Sequence, residues 1–373
     1  MKPIRLLPIG LLAGLVLGLS ACKSEPIIDS EYDYMQYSVN NIVKGQKINN
    51  RVILLVACGS AWEVAYNAYD VTIDAYKQKF RGYDVFLAFS SNICINNAQA
   101  GVYTLPRDYY APQYYLNAFA LDGVRYDEIV VQSLQVIPTK EYDRVTGILK
   151  DFANNVSGDL KEEYLSRVNL KLGVPLLMDP DKDVPKVAKE LDGIYQDLSA
   201  DNLIVFMAHG APEEYDTYQA NARFVELEKA LQEINPHYFV GTLDVPGNYK
   251  TDVYQRMVDA GFNEKNLKVF LHPLLAVNGS RVHDYMYDND SGGTRYNFAD
   301  LMAEVREGED IDYYWQEFFG AIGSGFICEN NTMIQRGLLD LQEIAEIWMS
   351  HTLDAINSEP LDFRDFRDSR VCR

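Results

Sequence analysis

The chain has 373 residues and a formal charge of −20, from 54 acidic and 34 basic side chains. A surface of that sign repels nucleic acid and anionic lipid headgroups, so neither is an expected partner of the protein surface. With 47% apolar residues, the chain is long enough to bury the cores of two lobes of ordinary domain size.

At the amino end, Lys2 and Arg5 precede the apolar run LLPIGLLAGLVLG, which ends in Leu19-Ser20-Ala21-Cys22. This reads as a lipoprotein signal peptide over residues 1–22, with Cys22 as the lipidated residue. Acyl chains there would hold the mature protein to a bacterial membrane, on its periplasmic face or at the cell surface. Loss of Lys2 and Arg5 with the leader makes the mature charge −22. Residues 23–48 are polar and are expected to form a flexible tether.

From there the chain alternates short apolar runs with amphipathic stretches. The runs are VILLVA (52–57), DVFLAF (84–89), EIVVQSLQVI (128–137), KLGVPLL (171–177), LIVFMA (203–208), YFVGTL (238–243) and KVFLHPLLAV (268–277). Continuous apolar runs point to strands covered on both faces, and helices are expected over 61–80, 141–153, 184–198, 222–234 and 250–261. That rhythm predicts an α/β fold with parallel sheets. It runs twice, which divides the chain into an amino-terminal lobe over 49–170 and a carboxy-terminal lobe over 171–357. The stretch 334–356 has helical spacing and is expected to pack back across the body, leaving a frayed charged tail over 358–373.

In open parallel sheets, ligands sit beyond the carboxyl ends of the strands, so strand-end turns are the places to look for chemistry. Two turns open the two halves, Ala57-Cys58-Gly59-Ser60 and Ala208-His209-Gly210-Ala211. His209 reads either as a metal ligand or base, or as a strand-end histidine bonded to a carbonyl. Asp244 ends the sixth run and reads either as a carboxylate at the same edge or as a turn aspartate. His283 follows Asn278-Gly279-Ser280, near Asp284, Asp288 and Asp290. His209, Asp244 and His283 would form a facial set of the kind that holds a metal with open positions. Gly59 and Ser60 can cradle an anion at a helix start. His272 reads as a core histidine, and His237 and His351 as structural or solvent-facing. Of the cysteines, Cys58 reads as a buried thiol, and Cys328 and Cys372 are a conceivable disulfide.

The strings IVFMAHGAP, FVGTLDVPG and VFLHPLLAVNGSRVHDYMYDND resemble the anaerobic sirohydrochlorin cobaltochelatases, the class II tetrapyrrole chelatases. Upstream, LLVACGSAWEVAYNAYD, DVFLAFSSNIC and YDEIVVQSLQVIPTKEYDRV agree in order, and the likeness covers roughly residues 51–357. The resemblance implies two similar flavodoxin-like lobes with a tetrapyrrole in the cleft between them. It also implies ATP-independent insertion or removal of a divalent ion, Co2+ first, with Fe2+ or Ni2+ as the alternatives. On this chain the family's metal-site residues fall on His209 and Asp244, and substrate contacts fall on Gly59, Ser60, Ser90 and Ser91. Two positions depart from the family. Asp244 stands where a glutamate is usual, shortening the reach by about 1.5 Å. Arg281 stands where a second histidine is usual, and guanidinium stays protonated and cannot bind a cation. Either the loop re-registers so that His283 supplies the ligand, or the site has lost one arm, and Arg281 could instead clamp a substrate carboxylate. The alternative implied is a lipoprotein that captures haem or a corrinoid without catalysis. A homo-oligomer and outer-membrane uptake machinery are further partners this reading allows.

Overall fold

The computed structural model describes residues 31–243, 245–265, 267–279, 326–327 and 334–364. Two parallel sheets organise them. The first contains β1 (Arg51–Ala57), β2 (Asp84–Phe89), β3 (Glu128–Ser133) and β4 (Asn169–Gly173), in the order β2-β1-β3-β4. The second contains β5 (Leu203–Ala208), β6 (Tyr238–Thr242), β7 (Leu267–Pro273) and β8 (Phe326–Ile327), in the order β6-β5-β7-β8. The two orders are the same once each sheet is numbered from its own first strand, and every pairing is parallel. The sequence-based α/β reading with two similar lobes is therefore the observed architecture.

The central strands carry the physical reason. In β5, LIVFMA is buried at every position, and in β1 only Arg51 is exposed. An apolar run with no polar alternation can sit only between two layers of helix. Those layers include α2 (Glu63–Lys79), α5 (Lys140–Ala153), α7 (Asp183–Ser199), α8 (Ala222–Ile234) and α9 (Lys250–Asp259), close to the expected boundaries. Two short helices had not been expected, α3 (Asn92–Ala100) and α4 (Pro112–Phe119). A four-residue turn of helix, α6 (Glu162–Leu165), precedes β4.

Four expectations need correction. Residues 31–46 form a helix, α1 (Glu31–Gln46), and do not continue the tether. Val39 and Val43 lie four apart on one face and are fully buried, and Gln36 Nε2 donates to the Tyr114 carbonyl of α4 at 2.9 Å. The lobe boundary does not fall at residue 170, because β4 pairs with β3 and belongs to the first sheet. The 171–357 segment does not stay in one lobe either. Its last helix, α10 (Gln342–Asn357), returns to the first, where Trp348 Nε1 donates to the Gln135 carbonyl at 3.2 Å and Thr352 Oγ1 donates to Gln132 Oε1 at 2.8 Å. Finally, the tail begins docked: Leu361 N donates to the Leu170 carbonyl at 3.0 Å, and Phe363 is buried. The leader with Cys22, and Cys328 and Cys372, lie outside the described residues. Among the described residues, no helix is long and apolar enough to cross a membrane.

Three histidines serve the fold. His237 Nδ1 lies 2.6 Å from the Ser199 carbonyl, and His351 pairs with buried Asp183 at 3.1 Å, tying α10 to the start of α7. His272 is fully buried between the rings of Tyr195 and Phe206, with Nδ1 2.9 Å from the Pro273 carbonyl. Its Nε2 has no hydrogen-bond partner among the described residues. Burial, chiefly, pushes its pKa from 6.5 down to about 3. The unfolded chain therefore takes up a proton below about pH 6.5 that the folded chain refuses, and stability falls as pH drops through that window. His272→Leu is expected to flatten the loss, by up to about 1.4 kcal/mol per pH unit, between pH 6.5 and 4. Urea midpoints of the two proteins at pH 7, 6 and 5 check this, and parallel lines would refute it.

Candidate functional site

The carboxyl ends of the central strands open into one cavity of about 1710 Å³, larger than an ordinary ligand site of about 300–1,000 Å³. Cys58 to Ala61 after β1, Ser90 and Ser91 after β2, and Leu134 to Ile137 after β3 line it from the first lobe. His209 to Asp216 after β5, Val245 and Pro246 after β6, and Leu274 to Val277 after β7 line it from the second.

Glycines make the close approaches. Gly59 has φ +113°, and a Cβ there would stand 2.7 Å from the Phe89 ring and 2.8 Å from Cys94 Cβ. Gly210 has φ +78°, and its Cβ would meet Val245 Cγ2 at 2.5 Å. These turns fold back tightly because no side chain obstructs them, which places the next residues at the cavity wall. At Gly279 the lobes themselves touch, since a Cβ would lie 2.7 Å from Ser60 Oγ.

His209 is the strand-end histidine bonded to a carbonyl, and it also lines the cavity. Nδ1 lies 2.9 Å from the carbonyl of Gly210, and the residue is half-buried and lines the cavity. A carbonyl can only accept, so Nδ1 carries the proton and Nε2 carries the lone pair. That is the tautomer needed to bind a cation or take up a proton. Across the strand ends, Leu243 N donates to the carbonyls of Ala208 and His209, both at 3.1 Å, so the exit of β6 hangs from the exit of β5.

The serines line the cavity and are engaged locally. Ser60 Oγ accepts from Trp62 N at 3.3 Å, Ser90 Oγ donates to Glu141 Oε2 at 3.1 Å, and Ser91 Oγ caps α3 by accepting from Cys94 N at 3.4 Å. Gly59 and Ser60 thus meet Ser90, Ser91 and His209 around one space. Asp244, Arg281 and His283 lie outside the described residues, as do Asp284, Asp288 and Asp290. Among the described residues, no three His, Cys, Asp or Glu side chains gather closely enough to hold a metal.

Cys58 is not a buried thiol. It is exposed and lines the cavity, because the strand ends one residue before it and the Gly59 turn carries it outward. A maleimide is expected to label Cys58 faster than half-buried Cys94, and a saturating macrocycle is expected to slow the reaction. Peptide mapping reads both, and equal labelling with and without macrocycle would place Cys58 away from any bound ring.

Sequence reasoning missed Gln135, Lys140, Glu141 and Arg144. EIVVQSLQVI reads as one long strand, whereas β3 stops at Ser133 and the remainder turns along the cavity. Pro138-Thr139 was the signal: Thr139 caps α5, its Oγ1 accepting from Glu141 N at 3.4 Å, and a strand end followed by a cap marks a cleft-facing loop.

The cobalt chelatase (CbiK) family matches residues 51–357. The chain belongs to that family. Among solved structures it is similar to SirB from Bacillus subtilis with Fe3+, at a TM-score of 0.50 and 12% identity, covering 83% of this chain and 96% of that one. At that identity the likeness concerns the fold, and it fits two chelatase lobes. A solute-binding protein of an ABC transporter from Burkholderia graminis, in complex with D-arabinose, is similar at a TM-score of 0.30 and 11% identity, covering 84% of this chain and 92% of that one. No curated protein matches the chain.

Proposed function

We propose that the protein is a metallochelatase that exchanges a divalent ion, Co2+ or Fe2+, with the two pyrrole N–H protons of a tetrapyrrole held between the lobes. The observation that carries this is His209. It lines the interlobe cavity of a chelatase-family chain at the exit of β5, with Nδ1 2.9 Å from the Gly210 carbonyl.

Insertion releases two protons for each ion taken up, and removal consumes two. No bond in that exchange calls for a phosphoryl donor, so the reaction runs without ATP. His209 Nε2 binds the incoming ion or accepts a pyrrole proton, and the cavity holds the macrocycle against it. Asp244, which immediately precedes the cavity-lining Val245 and Pro246 in the chain, is assigned the balancing carboxylate. His283 is assigned a further ligand, with Arg281 on a substrate carboxylate. Export and lipidation at Cys22 would set this chemistry at a membrane surface.

The second reading is capture of haem or a corrinoid without turnover, and Arg281 in place of a ligand histidine favours it. One assay separates the two. Purified protein is mixed with sirohydrochlorin or a free-base porphyrin and Co2+ or Fe2+, without ATP, and the absorption bands are followed. Conversion to the metallated spectrum at a protein-dependent rate supports the chelatase. Saturable binding with a static free-base spectrum supports capture, and absence of binding refutes both.

A further inference from the structure

The cavity is electrically divided. Among the described residues lining it, the basic side chains are Lys140 and Arg144, one turn apart on α5 of the first lobe. Glu141 and Asp151 line the cavity from the same helix, Glu141 already engaged by Ser90 and Arg144, and facing them the loop after β5 carries Glu213, Glu214 and Asp216 on the same segment as His209. The two walls approach closely: Lys140 Nζ sits 4.4 Å above the Tyr215 ring, and Thr217 Oγ1 donates to Asp143 Oδ2 at 2.7 Å.

Both cations are set in place by neighbours. Arg144 Nη1 donates to the Ser90 carbonyl at 3.0 Å and to Glu141 Oε2 at 3.3 Å. Those contacts fix the guanidinium plane and use one nitrogen, while Nη2 and Nε remain to bind a planar carboxylate. Lys140 rests its ammonium on an aromatic face, which holds the charge at the wall without neutralising it. Among the described lining residues the positive side chains are this pair, so an anionic ligand entering the cavity of this acidic chain is drawn there.

We propose that Lys140 and Arg144 form the carboxylate subsite for the macrocycle, seating its acidic edge on α5 and turning its opposite edge toward His209 and the acidic loop. This rests on the tetrapyrrole reading above and adds an orientation to it. Two fixed cations one helical turn apart match a ring whose carboxylates lie side by side on one edge. The same division leaves the acidic loop to draw the divalent ion in beside His209, so ring and ion arrive from opposite walls.

The test uses the whole protein and two probes: a porphyrin bearing two adjacent propionates, and the same ring with both propionates converted to neutral glycol amides. Soret-band titrations of the native protein are expected to show the diacid binding at least about tenfold tighter than the diamide. In Lys140→Gln/Arg144→Gln the two affinities should converge, with the diamide affinity unchanged. Circular dichroism confirms the fold of the double variant, and Lys140→Arg should restore part of the preference. A diacid preference that survives in the double variant, or none in the native protein, overturns the subsite while leaving the tetrapyrrole reading standing. If neither ring binds, that reading fails and the subsite with it.

Discussion

His209→Ala is expected to slow metal insertion by at least about 100-fold while the protein still takes up the macrocycle. Removing a positioned base or ligand costs about 10²–10⁴ in rate. The ring, by contrast, contacts a cavity built from many elements, of which one imidazole is a small part. Initial rates of metallation and free-base titrations on the same variant give the two numbers independently. Exogenous imidazole should restore part of the rate, because the cavity left by the side chain opens onto the site. A variant that metallates at the native rate would remove His209 from the chemistry. One that also loses ring binding would show the residue to be structural.

The second large effect is on stability. Trp348→Ala should destabilise the protein by about 3–5 kcal/mol, the usual cost of truncating a fully buried large aromatic. Trp348 is 0% exposed on α10 and donates its indole proton to the Gln135 carbonyl. Its loss opens a void between the last helix and the first sheet and removes a donor from a carbonyl at the cavity floor. Urea denaturation at pH 7 measures the change, and a shift below about 1 kcal/mol would mean that α10 repacks without cost. Trp348→Phe restores most of the packing without the donor, so its loss relative to the native protein reports chiefly the hydrogen bond, and the difference between the two variants reports the packing.

Much of the fold is legible in the sequence because doubly covered strands leave an unmistakable trace. LIVFMA and VILLVA have no polar interruption, and their boundaries hold to about a residue. What escaped reading depends on partners distant in the chain. KLGVPLL is equally apolar whichever sheet it joins, and only the pairing of Leu172 with Val131 assigns it to the first. Residues 31–46 carry Met35, Val39, Ile42 and Val43 at helical spacing, but tyrosines and asparagines between them obscure the stripe until α4 is there to cover it.

The site was half legible. His209 was found because a histidine followed by glycine at a strand end is rare and has a mechanical reason. Ser90 and Ser91 came with the family likeness and do line the same space as His209. Lys140 and Arg144 sit on an ordinary charged helix, and nothing in KEYDRV separates them from a solvated face. Their meaning comes from the Tyr215 loop standing opposite, some seventy positions later in the chain.

The return of α10 to the first sheet bears on how the polypeptide matures. Synthesis delivers β1 to β4 early, yet a layer that shields β3 and β4 comes only after the second sheet, so that surface stays uncovered until the second lobe has been made. The early half is therefore expected to complete its core only when α10 arrives. A chain truncated after residue 341 should accordingly remain bound to holdases and fall to proteases, although every strand of the first sheet is present in it.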